Sequence, residues 1–202
     1  MTSKIIIAVL TIIFYIITIT KCRGAKLKVK AQALGGIVCA ITLVLSMIYI
    51  PLPTGATISA GSMLPIMLLA VCCDYRLAMV TGFITGILAM LLVPVWQPVH
   101  WVQIFIEHLV CFSCLGYVGV FGSDKKWKIA LGGFIAVMIK TLAHVMSGVV
   151  FFSTNAWDGF GAWAYSIAYN LSNNIPEGII TIIILLALPV KKMKKSISEI
   201  QI

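Results

Sequence analysis

Long apolar runs, broken at short intervals by polar or basic clusters, dominate the chain. They fall at about residues 4–20, 31–50, 60–73, 77–94, 101–121, 128–152 and 166–189. A helix needs roughly 20 apolar residues to cross the hydrocarbon core of a bilayer, so the pattern predicts seven membrane helices joined by short loops. The third run is short and follows Pro51, Pro53, Gly55 and Gly61. The loop before it is therefore expected to dip into the membrane region.

The basic residues sharpen this reading. Lys21, Arg23, Lys26, Lys28 and Lys30 follow the first run, Arg76 precedes the fourth, Lys125, Lys126 and Lys128 precede the sixth, and Lys191, Lys192, Lys194 and Lys195 follow the last. Short cytoplasmic loops collect Lys and Arg. All these residues share one side if every run crosses once, with the N-terminus outside and the C-terminus in the cytoplasm; only Lys4 and Lys140 are left over. The opposite loops hold Trp96, His100, Trp157, Asp158 and Trp163 without a Lys or Arg, and tryptophans there read first as interface anchors.

Composition agrees. The 202 residues are 61% hydrophobic and 10% charged, with a mean hydropathy of +1.08, which excludes an ordinary soluble domain. The net charge of +9 lies in the membrane-flanking clusters, so nucleic acid is not an expected partner; the lipid membrane is. The six cysteines, Cys22, Cys39, Cys72, Cys73, Cys111 and Cys114, lack zinc or secreted-disulfide spacing and read as small buried hydrophobes. No cleavage site follows the first run, so it reads as a retained helix. The chain divides into residues 1–30, an extra N-terminal helix with a basic loop, and residues 31–202, an all-α, polytopic six-helix bundle with a short basic tail.

Four ionisable residues stand at membrane depth: Glu107, Lys140, His144 and Glu177. Such groups are costly in lipid and face a bundle interior or cavity. At about 1.5 Å per residue, Glu107 lies roughly 9 Å past Trp101 and His144 about 12 Å short of Phe152, so the two share a level. Tyr165, Tyr169 and Asn170 come within roughly 8 Å of the same outer end on the last helix. Lys140, one turn deeper than His144, matches Glu177 and is expected to pair with it, or alternatively with Glu107. A carboxylate with aromatic rings and an amide suits an organic cation bearing a heteroaromatic ring.

Enzymatic readings are weaker. The chain has no nucleophile elbow, phosphate loop or HExxH motif, and only Ser147 near His144 recommends a membrane hydrolase. No cofactor or metal is expected. With no ATP-binding motif, active transport must draw on a partner or an ion gradient.

From Ala143 to Pro176 the chain carries His144, Ser147-Gly148, Phe151-Phe152, Trp163, Tyr165-Ser166, Tyr169-Asn170 and Pro176-Glu177. This run resembles the thiamine-specific substrate-binding component of energy-coupling factor transporters. The resemblance extends to Val102-Gln103 with Glu107 and to Ser62-Met63-Leu64-Pro65, covering about residues 31–190. It implies a six-helix core that binds thiamine from outside and associates with a membrane coupling subunit and two cytoplasmic ATPases. On that reading Glu107 and His144 serve the thiazolium end and Tyr165 and Asn170 the aminopyrimidine, with Phe152, Trp163, His108 and Lys140 as further site candidates. His108 stands where the family often has tyrosine, and Phe152 at an aromatic stacking position; a thiamine precursor, pyridoxine or riboflavin are the alternative ligands. Family members dock on their partner through small residues of the first core helix. Gly36 and Ala40, or Gly35 and Cys39, offer such a face at i, i+4 spacing.

Overall fold

The computed structural model describes residues 2–23, 25, 28–94 and 97–199; Lys26 and Trp96 lie outside the described residues. Six helices are long and apolar enough to cross a membrane. They are α1 (Thr2–Cys22), α2 (Val29–Met47), α4 (Tyr75–Leu92), α5 (Trp101–Gly119), α6 (Lys126–Phe151) and α7 (Ala162–Ala187). The third apolar run forms only a ten-residue helix, α3 (Met63–Cys72), about 15 Å long at the usual helical rise. The chain is a multi-pass membrane protein.

Sequence and structure differ in three elements. The loop before α3 is a hairpin in which β1 (Tyr49–Pro51) pairs antiparallel with β2 (Thr57–Ser59). Its turn closes through Gly55 N–H to the Leu52 carbonyl at 2.9 Å, with Gly55 at φ +86°, a conformation that favours glycine. The last ten described residues are not a plain tail but a helix, α8 (Val190–Glu199). Its Lys194 donates to Ser123 Oγ at 2.8 Å, and Ser123 donates to the Val71 carbonyl at 2.8 Å, which ties α8 to the end of α3. Finally, α5 is not one regular helix. It runs from an α-helical turn (Trp101–Gln103) through a π-helical stretch (Ile104–His108) and an α-helical stretch (Leu109–Ser113) into a 3-10 segment (Cys114–Gly119).

α3 is the buried centre. Met63, Ile66 and Met67 are at most 1% exposed and pack in one cluster with Val38, Leu77, Leu115, Val137 and Leu185. Apolar outer faces such as Ile37, Ile41, Phe83, Phe134 and Ile183 stay exposed, as lipid-facing surfaces are. α5 packs extensively on both α4 and α6, and α6 packs in turn on α7. α4 lies directly on α5: a Cβ at Gly86 would sit 2.6 Å from the His108 carbonyl oxygen, so glycine there lets two backbones touch without a side chain between them. α1 sits outside this bundle, with Ile5, Ile6, Val9, Ile12, Ile16 and Ile19 all exposed.

Candidate functional site

α5, α6, α7 and the hairpin enclose a cavity of about 430 Å³. Each wall has its own chemistry. α5 contributes Gln103, Glu107, His108 and Cys111; α6 contributes Lys140, His144 and Gly148, with Phe152 just beyond its end; α7 contributes Tyr165, Tyr169, Asn170 and Glu177; the hairpin and the turn after it bring Gly55, Thr57, Ser59 and Ser62. Gly148 matters for closure, because a Cβ there would collide with Ser166 on α7. The helices can approach each other at that level only while the position stays bare.

Glu107 is the acid of the upper level. Its Oε2 accepts from Gln103 Nε2 at 2.7 Å and from Ser147 Oγ at 2.5 Å, while its Oε1 lies 3.7 Å from His144 Nε2. His144 Nδ1 is 3.0 Å from the Lys140 carbonyl. A carbonyl only accepts, so Nδ1 carries the proton and Nε2 is the nitrogen turned towards Glu107. Cys111 Sγ, 3.2 Å from the same Nδ1, touches the imidazole as well as filling space.

A second ionic pair lies deeper. Lys140 Nζ is 3.8 Å from Glu177 Oε2, the first of the two pairings open to Lys140. The other carboxylate oxygen of Glu177 accepts from Ser59 and, at 3.4 Å, from Ser62. Those two serines come from the hairpin and the turn into α3, so the loop reaches the bottom of the cavity. It is held elsewhere by Tyr169 Oη donating to the Gly55 carbonyl at 3.1 Å and by Thr54 with Ser172 at 3.2 Å.

The aromatic wall is α7. Tyr165 is buried, edge-on to Trp157 at 5.1 Å between ring centres and tilted against Tyr169 at 5.6 Å. Asn170 Nδ2 donates within its own helix, at the Ser166 carbonyl (2.9 Å) and the Ser166 hydroxyl (3.3 Å). Its side-chain carbonyl oxygen, an acceptor, is open to a ligand. Asn173, one turn along on the cavity lining, has an amide oxygen without a partner among the described residues.

Seven of the expected site residues, Glu107, His108, Lys140, His144, Phe152, Tyr165 and Asn170, line this one cavity. Trp163 does not, and corrects the expectation. The residue is 47% exposed, because two residues before Tyr165 is about 200° around the helix, on the far side from the cavity. Gln103, Ser59 and Ser62 had no assigned role, and Ser147 was considered only as a nucleophile. The signal for Gln103 is its i, i+4 spacing to Glu107; nothing local connects Ser59 with Glu177. On α2, Gly36 and Ala40 lie on the exposed face, with open space beside Gly36. Gly35 and Cys39 are buried, and a Cβ at Gly35 would meet Thr81 of α4 at 2.7 Å.

Comparison with known proteins adds to this geometry. The family model described as thiamine transporter protein (Thia_YuaJ) matches residues 32–197. The thiamine transporter ThiT of Bacillus subtilis (strain 168) is 31% identical over 154 residues, 70% of this chain and 79% of that protein. The thiamine transporter ThiT of Lacticaseibacillus paracasei is 28% identical over 157 residues, 69% of this chain and 78% of that protein. Among solved structures, ThiT from Listeria monocytogenes has the same fold, with a TM-score of 0.70 at 23% identity over 82% of this chain and 95% of that one.

Proposed function

This chain belongs to the thiamine transporter protein family, and we propose that it captures thiamine in the α5–α6–α7 cavity as the substrate-binding subunit of an ATP-driven importer. The observation that carries the reading is the convergence of Glu107, His144 and Asn170, from three helices, on one cavity. Its volume of about 430 Å³ lies within the range of about 300–1,000 Å³ usual for small-molecule sites.

Each wall then has a task. Glu107 offsets the positive charge of the thiazolium, and His144 stands beside it. Tyr165 and Phe152 offer ring faces, which favour a cation and stack on a heteroaromatic ring. The Asn170 carbonyl oxygen accepts from the exocyclic amine of the aminopyrimidine. His108 and Lys140 border the remaining volume. No covalent chemistry is assigned to the cavity, and the ligand leaves it unchanged.

Energy comes from partners, a membrane coupling subunit and two cytoplasmic ATPases, with the exposed Gly36–Ala40 face of α2 as the docking surface. The basic clusters support an outside N-terminus and a cytoplasmic C-terminus.

Titration of the purified protein with thiamine, followed by quenching of tryptophan fluorescence, tests the site. Thiamine is expected to quench, and Glu107→Gln and Asn170→Ala to weaken binding; if neither substitution does so, the assignment is wrong. Competition with hydroxymethylpyrimidine, pyridoxine and riboflavin separates thiamine from the other ligands.

A further inference from the structure

α1 lies outside the residues that the family model matches and exposes most of its surface. Its polar attachments to the bundle are few. Among the described residues its side chains make two oxygen-to-oxygen hydrogen bonds to α5: Tyr15 Oη to the Phe105 carbonyl at 2.7 Å, and Thr18 Oγ1 with Tyr117 Oη at 3.0 Å.

The first of these falls at an unusual place. Phe105 lies inside the π-helical stretch Ile104–His108, where Leu109 N–H donates five residues back to the Ile104 carbonyl. A helix that returns from five-residue to four-residue spacing leaves one carbonyl of the wide turn short of its intrahelical donor. Phe105 is next in that series, and the hydroxyl of Tyr15 supplies it with one. Within a bilayer a backbone carbonyl that lacks an intrahelical donor needs one from elsewhere in the protein. The same stretch carries Glu107 and His108 into the cavity. Apolar contacts reinforce the point: Ile7 packs with Ile106 and Met146, and Phe14 and Tyr15 pack on Cys111 and Ala143, the former touching His144.

We infer that α1 positions the acidic end of the cavity, with Tyr15 as a positioning residue that holds the π-helical turn bearing Glu107. The inference rests on the reading of that cavity as the ligand site. α1 is then more than a membrane anchor: it is an outer brace for a wide helical turn that would otherwise relax.

Two single substitutions separate bracing from attachment. Tyr15→Phe removes the hydroxyl at the wide turn; Thr18→Val removes the other hydrogen bond between the same two helices, at the 3-10 segment away from Glu107. Thiamine affinity is expected to fall about threefold to tenfold in Tyr15→Phe, the range for loss of one hydrogen bond inside a membrane protein, and by less than about twofold in Thr18→Val. Deuterium exchange of the amides from 104 to 109, read by mass spectrometry without ligand, is expected to speed up only in Tyr15→Phe. Equal loss of affinity in both variants overturns the inference, since α1 then serves attachment alone. Unchanged affinity in Tyr15→Phe, with binding abolished in Glu107→Gln, overturns it while leaving the site reading intact. Should the unaltered protein not bind thiamine, the site reading falls, and exchange decides: no change at 104–109 in Tyr15→Phe refutes the brace and faster exchange supports it.

Discussion

Two acid–base pairs lie in the same cavity at nearly the same separation, Glu107–His144 at 3.7 Å and Lys140–Glu177 at 3.8 Å, yet their surroundings differ. Glu177 has the Lys140 ammonium group 3.8 Å from one oxygen and serine hydroxyls on the other, and the side chains of that pair are 13% and 8% exposed. Glu107 has two neutral donors on Oε2 and an imidazole beyond hydrogen-bond reach of Oε1; that pair is 22% and 21% exposed. The deeper acid is neutralised by the protein. The upper one is oriented by the protein and left without a fixed counter-charge, which is what a site for a permanent organic cation requires.

The sharpest way to break this comparison is to remove one member of the deeper pair. Lys140→Met leaves Glu177 buried without its cation, and breaking such a pair costs about 3–5 kcal/mol. A large fall in thermal stability in detergent is expected, with much of it recovered in the double variant Lys140→Met/Glu177→Gln, where no charge is stranded. If the double variant is as unstable as the single, the pair does more than balance charge.

Glu107→Gln is expected to behave in the opposite way. It removes a charge that the protein does not neutralise, so stability changes little while thiamine affinity falls by about 30-fold or more, the range for losing one partner of a desolvated charge pair. A stability loss as large as that of Lys140→Met would erase the distinction between the two acids. Ser147→Ala is the finer version. It deletes one donor to Oε2 and leaves the carboxylate, and a weakening of about tenfold is expected from the loss of a hydrogen bond to a charged group. Affinity equal to that of the unaltered protein would mean that Gln103 alone orients Glu107.

How far the site was legible follows from what a helix fixes in one dimension. Rise along the axis is constant, so counting residues from Trp101 and Phe152 put Glu107 and His144 at one level, and they stand 3.7 Å apart. The six long helices were legible because lipid-facing sides need apolar residues whatever the bundle arrangement. Three features were not. The π-helical stretch of α5 leaves no mark in an apolar run such as Ile104–Ile106. The contact of the hairpin with the cavity floor is made by Ser59 meeting Glu177, 118 positions away, a pairing that no local pattern encodes. α8 is polar enough to read as a tail, and it orders through Lys194 reaching Ser123, 71 positions away.

The azimuth of α7 gives the smallest predicted effect and isolates the correction. Trp163 and Tyr165 are two residues apart in the same aromatic-rich turn, yet one residue is 47% exposed and the other 8%. Trp163→Phe removes an indole from the outer face, where tryptophan serves as an interface anchor, and thiamine affinity is expected to stay within about twofold, as for surface substitutions away from a site. Quenching on thiamine addition should survive in this variant, because Trp157, stacked edge-on to Tyr165, remains next to the cavity wall. Loss of the quench with affinity unchanged would show that Trp163 reports on the ligand after all, and would require α7 to rotate when the cavity fills.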